Sequence, residues 1–157
     1  MDKGKILKEF ESDFEDLRSR LNFETSIEDL ESEFYFKDYV LDMGYVRENL
    51  CMQVTSRIVD YFRNWSGYLN SLIMPNSGSY ANQTEAKLFN SEKDKKEMWS
   101  IIKICMRFSS MYSLMFLKRD EAMQSRFIDE TYDSWKNVVR PYMSKVMERV
   151  YVAWGED

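Results

Sequence analysis

Histidine is absent from this chain, cysteine and proline occur twice each, and glycine five times in 157 residues. Each shortage removes a class of chemistry. Without imidazole the chain cannot by itself furnish a Ser-His-Asp or Cys-His catalytic set. It cannot furnish the Glu-x-x-His pairs of ferritin-like di-iron bundles. Zinc sites that use histidine are excluded, and two thiolates cannot complete a four-cysteine site. Cys51 and Cys105 stand in apolar helical stretches, the setting of small reduced core residues and not of a disulfide framework. No glycine cluster leads into Lys-Ser or Lys-Thr, so no phosphate-cradling loop is present. No run of alternating apolar and polar residues is framed by turn signals, so no sheet is expected.

What is present is a globular composition. Apolar residues make up 44% and charged residues 31%, enough of the first to bury a core and too few of the second for wholesale disorder. The length fits one domain, residues 1–157. Aromatics at 15%, with eleven methionines, point to a core of large adaptable side chains. Any share of them left on the surface would make a binding face. The net charge of −5 is uneven: residues 1–40 carry twelve acids against six bases, and the remainder fifteen against sixteen. With no basic excess, general nucleic-acid binding is not expected. The first ten residues, MDKGKILKEF, lack the apolar run of a secretory signal. The most apolar window, Met98–Leu117, contains Lys103 and Arg107, which favours a buried helix over a membrane span. Without a signal, the glycosylation sequons at Asn64 and Asn82 are coincidental, and the expected location is the cytoplasm.

Helical spacing organises the rest. Leu7, Phe10, Phe14, Leu17 and Leu21 form a narrow apolar seam on a helix over 3–22. Thr25 and Glu28 have capping-box spacing before a helix over 26–43, with Ile27, Leu30, Phe34 and Leu41 inward and Gly44 as its stop. A third helix, 45–74, carries Leu50, Val54, Ile58, Tyr61, Trp65, Tyr68 and Leu72 in one phase and ends at Pro75. Gly67 interrupts that stripe at a cost of about 1 kcal/mol relative to alanine, and it predicts a close helix crossing. Residues 75–91 form the one long connection, with a short helical turn over 84–89. Ser91 and Asp94 cap a helix over 92–118 that is apolar on nearly every side, the mark of a central helix. Asp120 starts a last helix reaching about 154, and Pro141 should kink it. The fold class is all-α: an antiparallel bundle of four to five long helices.

Carboxylates are the remaining chemical resource. Glu28 with Glu31, and Glu130 with Asp133, each place two acids on one helix face, a spacing that holds Mg²⁺ when two such helices meet. The pairs are far apart in sequence, and acidic pairs are common on solvated helices, so no metal or other cofactor is expected. Arg119, Arg126 and Arg140 recur at multiples of seven, with Asp133 in the missing step; they read as a mixed-charge solvated edge. Tyr35, Phe36 and Tyr39, with Tyr45 beyond Gly44, cannot all point inward beside Phe34 unless that helix is buried on two sides. An exposed aromatic patch follows from that conflict.

The expected function is a non-enzymatic protein–protein interaction module: a helical adaptor or assembly subunit that binds a protein partner or self-associates as a homo-oligomer, with no membrane association. Its contact residues are expected to be Leu7, Phe10, Phe14 and Leu17 on the first helix, and Tyr35, Phe36, Tyr39 and Tyr45. Two alternatives stand beside it. One is a Mg²⁺-dependent all-α phosphohydrolase using the four carboxylates. The other is an acidic inhibitor that covers a basic site with Glu9, Glu11, Asp13, Glu15 and Asp16.

Overall fold

A computed structural model describes residues 2–155. The elements in chain order are α1 (Lys3–Leu21), α2 (Ile27–Phe34), α3 (Phe36–Met43), α4 (Leu50–Ile73), α5 (Tyr80–Lys87), α6 (Glu92–Leu117), α7 (Glu121–Ser134), a π-helical turn (Trp135–Val139) and α8 (Arg140–Gly155). The described residues contain no strand, and the chain is an all-α bundle.

Local chemistry sets most boundaries. Asp2, Asn49, Ser91 and Asp120 each accept a hydrogen bond from a first-turn backbone N–H of the helix they precede. Asn22 and Gly44 end α1 and α3 in the left-handed region, at φ 56° and 77°. The capping box before α2 is Ser26 with Asp29, one residue later than Thr25 with Glu28. The shift has a cause: Thr25 is buried, and its N–H and hydroxyl both donate to Asp129 on α7, at 2.9 and 2.6 Å. The same carboxylate accepts from the Glu24 N–H, so one side chain ties the α1–α2 connection to α7.

The helix expected over 26–43 is two helices hinged at Tyr35, whose backbone is left-handed at φ 52°, ψ 53°. This break resolves the crowding of aromatics. Phe34 and Phe36 are both fully buried, while Tyr35 between them is turned out to solvent. For a residue with a Cβ, the left-handed backbone costs about 1–2 kcal/mol. The freed groups find partners. The Phe34 carbonyl accepts from Arg57 Nε (3.0 Å) and Tyr61 Oη (3.3 Å) on α4, and the Glu31 carboxylate accepts from the Lys37 N–H (2.6 Å) in the first turn of α3.

The central helix is α4, not α6. It packs against α1, α2, α5, α6 and α7, and its buried face extends beyond the expected stripe to Cys51, Phe62 and Leu69. It begins five residues later than expected. The buried Gln53 side chain accepts from Arg47 N–H and donates to the Tyr45 carbonyl, and so holds the α3–α4 connection as a loop. α6 runs antiparallel to α4, with Phe62 on Phe108 at 5.1 Å and Arg63 Nε donating to Ser109 Oγ at 3.0 Å. It buries Met98, Ile101, Ile102, Cys105, Phe108 and Met115, but Trp99, Met106, Leu114 and Leu117 face solvent. Its all-round hydrophobicity therefore reflects one buried face and one exposed face. It is the one described helix long and apolar enough to cross a membrane, and only 28% of that stretch is buried.

Just before Pro141, where a kink is expected, the helix widens into a π-helical turn in which Arg140 N–H donates to the carbonyl of Trp135, five residues back. A proline ring collides with the carbonyl four residues earlier, here that of Asn137, and a widened turn makes room. α5 spans two turns and begins earlier than the single turn expected over 84–89. α8 is tied to the α5–α6 corner by Arg149, which pairs with Asp94 (2.8 Å), donates to the Leu88 carbonyl and lies over the Phe89 ring at 4.3 Å. Inside, ring contacts run unbroken from Phe23 through Phe14, Phe10, Phe36, Phe34, Trp135, Phe62, Phe108, Phe127 and Tyr112 to Phe116. Eleven of the 24 aromatics stand in this one chain of contacts.

Candidate functional site

The residues expected to make contacts do not share one surface. Phe10, Phe14, Leu17 and Phe36 are buried in the core of their own chain, because α1 packs its apolar seam against α3, α4 and α7. They are core residues and offer no free contact face. At the start of the seam burial falls on Ile6, four residues before Phe10, and Leu7 is half-buried beside it. Tyr39 is half-buried, and the Arg57 guanidinium lies 4.9 Å from its ring centroid and 5.0 Å from that of Tyr61. Tyr35 and Tyr45 are exposed, at 57% and 52%.

Three of the four paired carboxylates serve structural ends. Glu31 accepts the α3 N–H described above, Glu130 faces Arg107 at 3.4 Å, and Asp133 accepts from Asn137 Nδ2 at 2.8 Å. Glu28 is solvent-exposed. Among the described residues, no three acids or cysteines come close enough together to hold a metal ion. Burial pushes both thiols up to about 12, so Cys51 and Cys105 stay protonated at neutral pH and are poor nucleophiles. Arg119 lies in the α6–α7 turn at φ 51°, and Arg140 pairs with the buried Glu33 at 2.9 Å. The spaced arginines therefore do not form one free edge. On α1, Glu9, Asp13 and Asp16 line a hollow with Glu48, Arg20 and Arg47, so two cations partly offset four acids there.

One surface feature stands out. α4 and α6 leave a groove of about 440 Å³ with Gly67 and the buried Ser66 in its floor, and Trp99 and Met106 on its α6 side. Ile102 and Ser109 from α6, with Arg63 and Asn70 from α4, complete it. Gly67 is not at a close crossing: a Cβ built there meets nothing within 4 Å. Its missing side chain deepens the groove. Trp99 and Met106 are each 52% exposed and stand seven residues apart, about two helical turns or 10.5 Å. Trp99 also lines the adjoining hollow with Ile73, Lys93, Lys95 and Lys96.

Sequence reasoning missed this groove, although α6 carried a hint of it. A fully enclosed helix would not bear Lys93, Lys95, Lys96, Lys103 and Arg107 among its apolar residues. The same helix with one face in solvent accommodates both. No protein-family model matches the chain, and no curated protein and no solved structure matches it at a significant level.

Proposed function

We propose that the protein is a non-enzymatic protein–protein interaction module, a helical adaptor or assembly subunit in the cytoplasm, and that its partner docks in the α4–α6 groove. The observation that carries this reading is the half-exposed Trp99 and Met106 flanking a groove floored by Gly67. The fold itself leaves that apolar surface uncovered. A tryptophan can bury roughly 200 Å², so covering the exposed half of Trp99 removes about 100 Å² from water. At about 25 cal/mol per Å² this contributes roughly 2.5 kcal/mol, the size of a single dominant interface residue. The contact face thus moves from α1 and the Phe36 region, whose rings are spent on the core, to α4 and α6. Either a different protein or a second copy of this chain could fill the groove.

The test is a photo-reactive benzoylphenylalanine at position 106, irradiated in the cells that make the protein. A discrete adduct that disappears when Gly67→Leu fills the groove supports docking there. An adduct that survives Gly67→Leu, or no adduct beyond that of a probe at Glu28, argues against it. Light scattering on the purified chain then separates self-association from a heterologous partner.

A further inference from the structure

Two further hollows adjoin the groove. The groove and the second hollow share Trp99, and the second and third share Ile73 and Lys95. Together they are bordered by five cations, Arg63, Lys87, Lys93, Lys95 and Lys96, and one acid, Glu92. This is a positive strip on a chain of net charge −5. None of the five is in an ion pair among the described residues. Of the nearby α6 acids, Asp94 acts on Lys93 only after its stronger bonds to Arg149 and Ser91. Asp94 is held by Arg149, and both Asp94 and Glu97 act on Tyr142 of α8.

We propose that the occupant is an acidic amphipathic helix, with its apolar ridge in the α4–α6 groove and its carboxylates over Lys93, Lys95 and Lys96. The inference rests on the docking reading above and adds the partner's chemistry. A trough between two antiparallel helices receives a third helix as ridges into grooves. The two-turn separation of Trp99 and Met106 matches anchor residues seven apart on an incoming helix. The clustered lysines at one end fix its direction through the carboxylates. A flat anionic membrane fits less well, because Trp99 lines hollows on both sides, and a bilayer surface does not enter a trough.

The probe is a fluorescent 18-residue helical peptide with leucines at i, i+3, i+7 and i+10 and four glutamates at one end, titrated by anisotropy. A twin peptide carries lysines in place of the glutamates, and vesicles containing phosphatidylserine form a third arm. The glutamate peptide is expected to bind at least about tenfold more tightly than the lysine twin, and to weaken with added salt. Gly67→Leu, at a position where a side chain meets open space, should abolish that binding with the helical circular dichroism unchanged. A Lys93→Glu, Lys95→Glu, Lys96→Glu variant should reverse the preference. Equal binding of the two peptides overturns the acidic partner and leaves the groove as a docking face. Binding of vesicles without the peptide overturns the helical partner. If neither peptide binds, the inference fails, and the docking reading stands or falls on its own crosslinking result.

Discussion

Replacing Gly67 by alanine should stabilise the protein. The position lies within a 24-residue helix, its backbone is helical, and an added Cβ meets nothing within 4 Å. Glycine there forgoes about 1 kcal/mol of helix propensity relative to alanine, because its unfolded backbone has more freedom to lose. No steric term opposes the gain. For a chain of this length, 1 kcal/mol corresponds to about 2–4 °C in Tm. Thermal melts followed by circular dichroism at 222 nm would resolve the shift, and urea titration would check that the slope is unchanged. Gly44 supplies the internal contrast: its φ of 77° is left-handed, so alanine there should cost about 1 kcal/mol. A fall in Tm for Gly67→Ala would mean that something fills the space over Gly67. That would restore the close helix crossing and remove the groove.

Three further perturbations test other parts of the account. Tyr35→Gly relieves a left-handed backbone at an exposed side chain, so Tm should rise by about 2–4 °C, for roughly 1 kcal/mol; a clear fall would show that the Tyr35 ring supports the fold. Asp129→Ala strips the acceptor from the N–H groups of Glu24 and Thr25 and from the buried Thr25 hydroxyl, and should cost about 3 kcal/mol in urea unfolding; a loss near zero would mean that water replaces the carboxylate. Asp29 is held below its ordinary value of 3.8 by the Ser26 N–H and by the Tyr132 and Ser26 hydroxyls, and Asp94 by Arg149 and Ser91. Below pH 3.8 the unfolded chain binds these protons first, so stability present at neutral pH is lost on further acidification. Melts at stepped pH should show Tm dropping below about pH 4, with a shallower drop in an Asp29→Asn, Asp94→Asn variant; equal slopes would contradict the assignment.

Periodicity made the class of fold legible, along with several ends: the Asp120 and Ser91 caps, the Gly44 stop and the close of α4 before Pro75. These are local features, written within one or two turns of chain. What was not legible depended on neighbours. The break at Tyr35 is favoured because Phe34 and Phe36 both find room in the core and α4 supplies Arg57 and Tyr61 to the freed carbonyl. Nothing within 26–43 encodes that. Thr25 looked like a cap because a hydroxyl preceded the helix at the right spacing, but a carboxylate more than 100 residues away captured it. The face that α6 presents to solvent is likewise hidden from a one-dimensional pattern, since helices covered on all sides and helices awaiting a partner share a composition. For the same reason Gly67 suggested a close approach: a missing side chain serves equally to admit another helix of the same chain and to leave room for a different one.

The central claim is that the trough over Gly67 is open in the isolated protein and covered in its working state. A Gly67→Cys variant reads this directly, because Cys51 and Cys105 are buried with their thiols pushed up to about 12 and give little background. N-ethylmaleimide should label one thiol per purified chain rapidly. In intact cells it should label the same position several-fold more slowly than a Glu28→Cys control. Equal rates at the two positions in cells, or a thiol at position 67 that resists labelling in the purified chain, would contradict the account.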